Sequence, residues 1–195
     1  MSAFDQPIDR RGSDSEKWRR YAGRDVLPLW VADMDFAAPP AVMAALHRRI
    51  EHGVFGYGGP WPSLTESVLA HLEGEYSWRI EPEWIVWLPG LVTGLNIACR
   101  AVDGAVLTAT PIYPPFLSAP HFSGRKLSRA ELACTDDGWR FDQKTLNSAL
   151  TAATRLFLLC HPHNPVGRCW SRAELLDLAA FAEANDLIVC SDEIH

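Results

Sequence analysis

Leu156-Phe157-Leu158-Leu159-Cys160 is an unbroken apolar run, and it gives way at once to the turn His161-Pro162-His163-Asn164-Pro165-Val166-Gly167. A strand that is apolar on both faces needs cover on both sides, which is the habit of parallel sheets. Ser171, with Glu174 three residues on, then has the pattern of a capping box. Leu175, Leu176, Leu178, Ala179 and Phe181 continue it as a helix. Leu187-Ile188-Val189-Cys190 reads as a second buried strand, ending in Ser191-Asp192-Glu193-Ile194-His195. Strand, helix and strand in this order predict an α/β fold with a mostly parallel sheet.

The same alternation extends upstream. Trp84-Ile85-Val86-Trp87-Leu88 is expected to be a short strand, Pro89-Gly90 a turn, and 91–102 a helix. Ala105-Val106-Leu107-Thr108-Ala109 reads as a strand, 113–122 as a short helix and 125–132 as a more polar strand. Residues 142–152 follow as a helix, with Asp142 placed to cap it. Farther upstream, Pro39 and Pro40 open a helix that runs through Ile50, since proline is tolerated in a first turn. A glycine- and aromatic-rich loop spans 53–62, and Leu64, Val68, Leu69 and Leu72 recur at helical spacing. Residues 1–35 read as an extended arm, rich in charge and tryptophan.

Composition narrows the classes. The 195 residues suit one domain or slightly more, and 48% hydrophobic with 22% charged residues is the balance of a soluble folded chain. A net charge of −6 without a basic block argues against nucleic acid as a partner. No apolar run approaches the roughly 18 residues of a membrane span, and the stretch to Arg20 lacks the apolar core of a secretory signal. The expected location is therefore the cytoplasm. The cysteines, Cys99, Cys134, Cys160, Cys169 and Cys190, show no C-x-x-C spacing, so reduced structural thiols are expected.

The polar motifs all fall where strands end, and in such sheets ligands gather beyond the carboxyl ends. Leu88-Pro89-Gly90-Leu91-Val92-Thr93-Gly94 joins a tight turn to a helix N-terminus, where free N–H groups and the helix dipole favour phosphate. It has neither the dinucleotide glycine pattern nor a P-loop lysine, and taken alone it also fits an ordinary turn. The two prolines around His163-Asn164 restrict the turn, which would fix the Asn164 amide as a donor. His161 and His163 alternate there, so a metal shared with His195 or Cys169 is a competing reading on spacing alone. Asp192 and Glu193 point to opposite faces. A buried carboxylate needs a partner, either a protonated ring nitrogen of a ligand or a strand-end ion pair. Tyr113, between Pro111 and Pro114-Pro115, could stack on a flat ligand or pack in the core. Tyr57, between Gly56 and Gly58-Gly59, reads as an exposed hydroxyl able to reach a ligand or another subunit. An asparagine and an aspartate delivered by two strand ends suit opposite sides of a flat, polar heteroaromatic cofactor.

Taken together, Trp30–Phe36, Phe55-Gly56-Tyr57, residues 88–95, Thr110-Pro111-Ile112-Tyr113-Pro114-Pro115-Phe116, His161–Gly167 and Ser191–His195 resemble the fold-type I pyridoxal-phosphate enzymes. Within them the chain is similar to the MalY/PatB-type cystathionine β-lyases (C–S lyases). The Pro-Ile-Tyr-Pro-Pro-Phe run and the Asp-Glu-Ile-His sequence carry the likeness to that branch. The resemblance implies a three-layer α/β/α large domain at 39–195, incomplete in this chain, with 1–38 as an arm and part of a small domain. It implies pyridoxal 5'-phosphate (PLP) as cofactor, with Gly90, Leu91 and Val92 on its phosphate, Tyr113 on its ring, Asn164 on its phenolic oxygen and Asp192 on its ring nitrogen. Tyr57 would reach the phosphate of a partner subunit, implying a homodimer; residues 30–36 would lie along the substrate channel, and His195 would stand near the cofactor.

The same resemblance places the Schiff-base lysine beyond the Asp-Glu-Ile-His motif. The chain has Lys17 in the arm, Lys126 at the start of the polar strand and Lys144 in a helix's first turn. Each reads as a solvated surface charge, so no catalytic residue is assigned and these 195 residues by themselves are expected to be inactive. The implied reaction is β-elimination from a sulfur amino acid, giving pyruvate, ammonia and a thiol. Two alternatives are a class I/II aminotransferase and a non-catalytic binding or regulatory protein on the same fold.

Overall fold

Six strands and seven helices carry the chain, in a computed structural model that describes residues 3–6 and 8–195. The residues divide into two compact units, Met1–Trp61 and Pro62–His195. The second unit holds α3 (Pro62–Tyr76), α4 (Leu91–Ala101), β1 (Ala105–Thr110), α5 (Pro115–Phe122), β2 (Leu127–Glu131), β3 (Ala133–Thr135), β4 (Gly138–Arg140), α6 (Gln143–Ala149), β5 (Thr154–Cys160), α7 (Arg172–Ala184) and β6 (Ile188–Asp192). Four strands form a parallel sheet in the order β2-β1-β5-β6.

Alternation along the strands builds two cores. Leu107, Ala109, Phe157 and Leu159 face one side and meet Leu146 of α6 and Leu178 and Phe181 of α7. Val106, Leu156, Leu158 and Cys160 face the other and meet Leu95 and Cys99 of α4 and Phe116 and Ala119 of α5. Full burial of each valine, leucine or phenylalanine among them contributes roughly 1.5–3 kcal/mol. The expected three layers with a mostly parallel sheet are thus present. Thr108 is buried in the central pair, and its hydroxyl donates to the Leu158 carbonyl at 2.9 Å, so the polar atom is satisfied.

Local chemistry sets the element ends. The Asp142 carboxylate accepts from the Lys144 N–H at 2.9 Å and starts α6. The capping box at α7 is complete, with Glu174 N–H donating to Ser171 Oγ and Ser171 N–H donating to Glu174 Oε2 at 2.7 Å. Gly104 links α4 to β1 at φ +156°, and a Cβ there would lie 2.7 Å from the Ala153 carbonyl oxygen. Only glycine lets that connector pass so near the start of β5.

The structure departs from expectation in three places. Residues 84–88 form no strand: Pro82–Trp84 is a 3₁₀ turn, and Val86, Trp87 and Leu88 are exposed with no neighbouring strand among the described residues. Apolar β-formers supply propensity but not the partner that a ladder requires. The hairpin β3–β4, joined through Thr135-Asp136-Asp137-Gly138, extends the region where only one polar strand was expected.

The third departure lies in the first unit, which contains α1 (Glu16–Arg19) and α2 (Pro40–His52). Lys17 is buried rather than solvated: its Nζ donates to Asp35 Oδ2 at 2.8 Å and to the Asp33 carbonyl at 2.6 Å. Arg10 grips both oxygens of Asp33 at 2.7 and 3.0 Å, and Trp18 Nε1 donates to Asp35 at 2.9 Å. The arm is therefore folded on an ionic clasp. Hydrogen bonds from Lys17 and then Trp18 pull the Asp35 carboxyl down from 3.8 to about 2, against the opposing effect of burial. A depressed folded pKa gives stability that is full above the unfolded value and is lost as pH falls through the folded one. Trp18 fluorescence is expected to hold steady down to about pH 4 and change with a midpoint near 2; a midpoint near 3.8 would mean the clasp does not form.

Candidate active site

The carboxyl ends of β1, β5 and β6 lie side by side, and the turns that leave them are hydrogen-bonded to one another. Cys160 stands opposite Asp192 in the β5–β6 register, and His161 N–H donates to the Asp192 carbonyl at 3.0 Å. Tyr113 N–H, in the turn after β1, donates to the Asn164 carbonyl at 3.0 Å. The Asn164 N–H points back to Cys160 Sγ at 3.4 Å, while that thiol donates to the Pro162 carbonyl at 3.3 Å. The peptide bonds before Pro111, Pro162 and Pro165 are cis. Tyr113, Asn164 and Asp192 are thereby brought to one edge of the sheet.

Their functional groups are left open. The Asn164 side-chain amide makes no hydrogen bond among the described residues. The Asp192 carboxylate accepts from the Ile194 N–H at 3.2 Å and pairs with no cation among the described residues, so the strand-end ion pair is not what is seen. The Tyr113 ring is exposed. Asp192 also acts on its neighbours: burial first, and then its negative charge, push the Cys190 thiol upward, and burial does the same to Cys160. These thiols stay protonated and inert.

α4 turns into β1 within three residues, so it runs against the strands and its N-terminus lies toward their carboxyl ends. Gly90 precedes it at φ +144°, with nothing within 4 Å of where a Cβ would stand. The ladder of α4 begins with Gly94 N–H on the Gly90 carbonyl, which leaves the N–H groups of Leu91, Val92 and Thr93 without helical partners. No acidic side chain occupies that first turn. Such a terminus suits a phosphate.

His195 and Glu193 open instead on a cleft of about 590 Å³, shared with His161, Pro162, His71, Leu72, Tyr76 and Trp78. Tyr57 belongs to the first unit and is fully exposed. Lys126 precedes β2, at the opposite end of the strands, and Lys144 lies in the first turn of α6; both are exposed.

His163 is where spacing misled. It does not face His161 as a ligand pair would; it is buried, with Nε2 donating to the Pro111 carbonyl at 3.0 Å. Burial lowers its pKa, opposed by the Pro111 and Cys160 carbonyls. No sequence signal pointed to that bond, because it depends on β1 and β5 being neighbours.

The aminotransferase class I and II family matches residues 24–195. The chain belongs to that family. The cystathionine beta-lyase PatB of Bacillus subtilis (strain 168) is 38% identical over 98% of this chain and 52% of PatB. The crystal structure of OvoB superposes with a TM-score of 0.92 at 48% identity, covering 98% of this chain and 52% of OvoB. The PLP-bound C–S lyase from Staphylococcus hominis gives 0.89 at 30% identity, covering 98% and 51%. The chain thus spans about half the length of these relatives, and the likeness to MalY/PatB-type lyases read from its residues is borne out. No helix among the described residues is long and apolar enough to cross a membrane.

Proposed function

We propose that this chain supplies the cofactor cradle of a PLP-dependent carbon–sulfur β-lyase. The observation that carries the reading is the convergence of Tyr113, Asn164 and Asp192 on one sheet edge, with their side chains open, together with the unpartnered N–H groups of Leu91 and Val92. The donor set fits the group: an anion site, an aromatic face, an amide and an unpaired carboxylate. On this reading residues 1–38 act as an arm and residues 39–195 hold the cofactor.

When bound, PLP withdraws electrons from the α-carbon of an amino acid, so that a thiolate can leave from the β-carbon. The chain's own residues prepare that chemistry. Gly90, Leu91 and Val92 bind the phosphate through backbone N–H groups. Tyr113 covers one face of the ring, and the Asn164 amide donates to the phenolic oxygen and orients it. Asp192 keeps a proton on the ring nitrogen, because its carboxylate pairs with no other cation among the described residues. His195 lines the neighbouring cleft beside Glu193 and is assigned no step. Tyr57, free on its glycine loop, reaches the phosphate of a second copy, so the working form is a homodimer.

The protein that carries these residues, purified with PLP and offered cystathionine, is expected to release pyruvate, ammonia and a thiol. Amino transfer to a 2-oxo acid without pyruvate would overturn the lyase reading in favour of a transaminase. A polypeptide of these 195 residues is expected to take up PLP reversibly, with no lysine reduced onto it by borohydride, since none of its three lysines stands at the strand ends.

A further inference from the structure

The turn that carries Tyr113 is held to the turn that carries Asn164 by only a few atoms. One link is between main chains, from Tyr113 N–H to the Asn164 carbonyl at 3.0 Å. The other is a side chain, from His163 Nε2 to the Pro111 carbonyl at 3.0 Å. The β1–β5 register runs only to Thr108 opposite Leu158, so these two bonds tie the chains together beyond the end of their ladder.

The histidine is built in for that bond. It is 1% exposed, and its ring is met edge-on by Trp170 at 5.4 Å and 79° and by Phe141 at 6.4 Å and 74°. Trp170 is itself fixed by its Nε1–H on the Cys160 carbonyl at 3.2 Å. A carbonyl can only accept, so Nε2 carries the proton. Nδ1 is buried and makes no hydrogen bond among the described residues, and burial, the largest influence on the ring, favours its neutral form over the opposing Pro111 and Cys160 carbonyls. The ring is a neutral, single-tautomer donor held in edge-to-face contact with Trp170 and Phe141.

We propose that His163 is a positioning residue: it staples the tyrosine turn to the asparagine turn and so sets the spacing between the Tyr113 ring and the Asn164 amide. The proposal rests on the PLP reading above. It gives a role to a histidine that touches neither the cofactor nor the substrate. Without the staple, the Pro111 carbonyl loses its donor and a single main-chain bond holds the two turns together.

PLP titration of the chain, followed by absorbance, tests this in three forms. His163→Phe keeps the ring and removes the donor; it is expected to bind PLP about tenfold more weakly and to exchange the Tyr113 amide hydrogen about tenfold faster, the loss of one hydrogen bond. His163→Gln, which can still donate, regains most of both. Leu178→Ala, a core change on α7, lowers the melting temperature and leaves PLP affinity as in the parent. In the parent itself, saturation with PLP is expected to slow exchange of the Tyr113 amide and the His163 Nε2–H together, a measurement that needs no variant. A Phe variant that matches the parent in affinity and exchange overturns the proposal alone. A parent that binds no PLP overturns the cofactor reading and the proposal with it.

Discussion

Asp192→Asn is expected to weaken PLP binding by about 10- to 100-fold, the value of one charge-assisted hydrogen bond. The change is nearly isosteric, and the Asp192 main chain stays tied by its carbonyl to His161 N–H and by its register to Cys160. Melting temperature should therefore hold while affinity falls. The amide cannot balance a positive ring nitrogen, so the absorption of the bound cofactor should also shift toward that of the unprotonated ring. Spectrophotometric titration reads both effects. Equal affinity with an unshifted band would remove Asp192 from the ring nitrogen and, with it, the chemistry assigned to the strand end.

Phe157→Ala should cost about 3–5 kcal/mol of folding stability, as a large aromatic deleted from a packed core does. Phe157 is 1% exposed at the centre of β5, between Leu107 of β1 and Val189 of β6. Its ring meets Phe141 and Phe181 edge-on, each with centroids 6.3 Å apart. Most of its neighbours are held in strands and helices, so the space can be refilled only in part. A urea melt of the second unit's transition measures the loss through the midpoint at unchanged slope. A loss below about 1 kcal/mol would mean that the site relaxes far more than a close-packed interior does.

These expectations draw unequally on sequence and structure. Leu156–Cys160 declared a buried strand by composition, and Ser171 and Asp142 announced their helices through capping chemistry that acts within three residues. Leu187–Cys190 read the same way and is a strand, but it is the sheet's edge, with Ile188 and Val189 exposed. Strand-end logic then placed Tyr113, Asn164 and Asp192 together. What it could not see were interactions whose partners lie far along the chain. Trp84–Leu88 has the composition of a strand and no strand beside it. Lys17 looks like any arm lysine until Asp33 and Asp35, 16 and 18 residues on, fold over it. His163 suggested a metal because His161 is near in sequence, whereas its true partner, Pro111, is 52 residues away across the sheet. The Asp136-Asp137-Gly138 turn carries a local hairpin signal that the reading of a single polar strand passed over.

The order of the strands has a consequence of its own. From the seam between β1 and β5 the chain departs in opposite directions, to β2 on one flank and to β6 on the other, and α5 and α7 leave for opposite faces. At such a parting no crossover bridges the strand ends, so a crevice opens there as a by-product of winding. Room for a flat molecule thus exists before any residue on the turns is chosen. Evolution can exchange one reaction for another by rewriting a few positions on those turns while the winding stays put, which is how lyases and aminotransferases come to share a backbone.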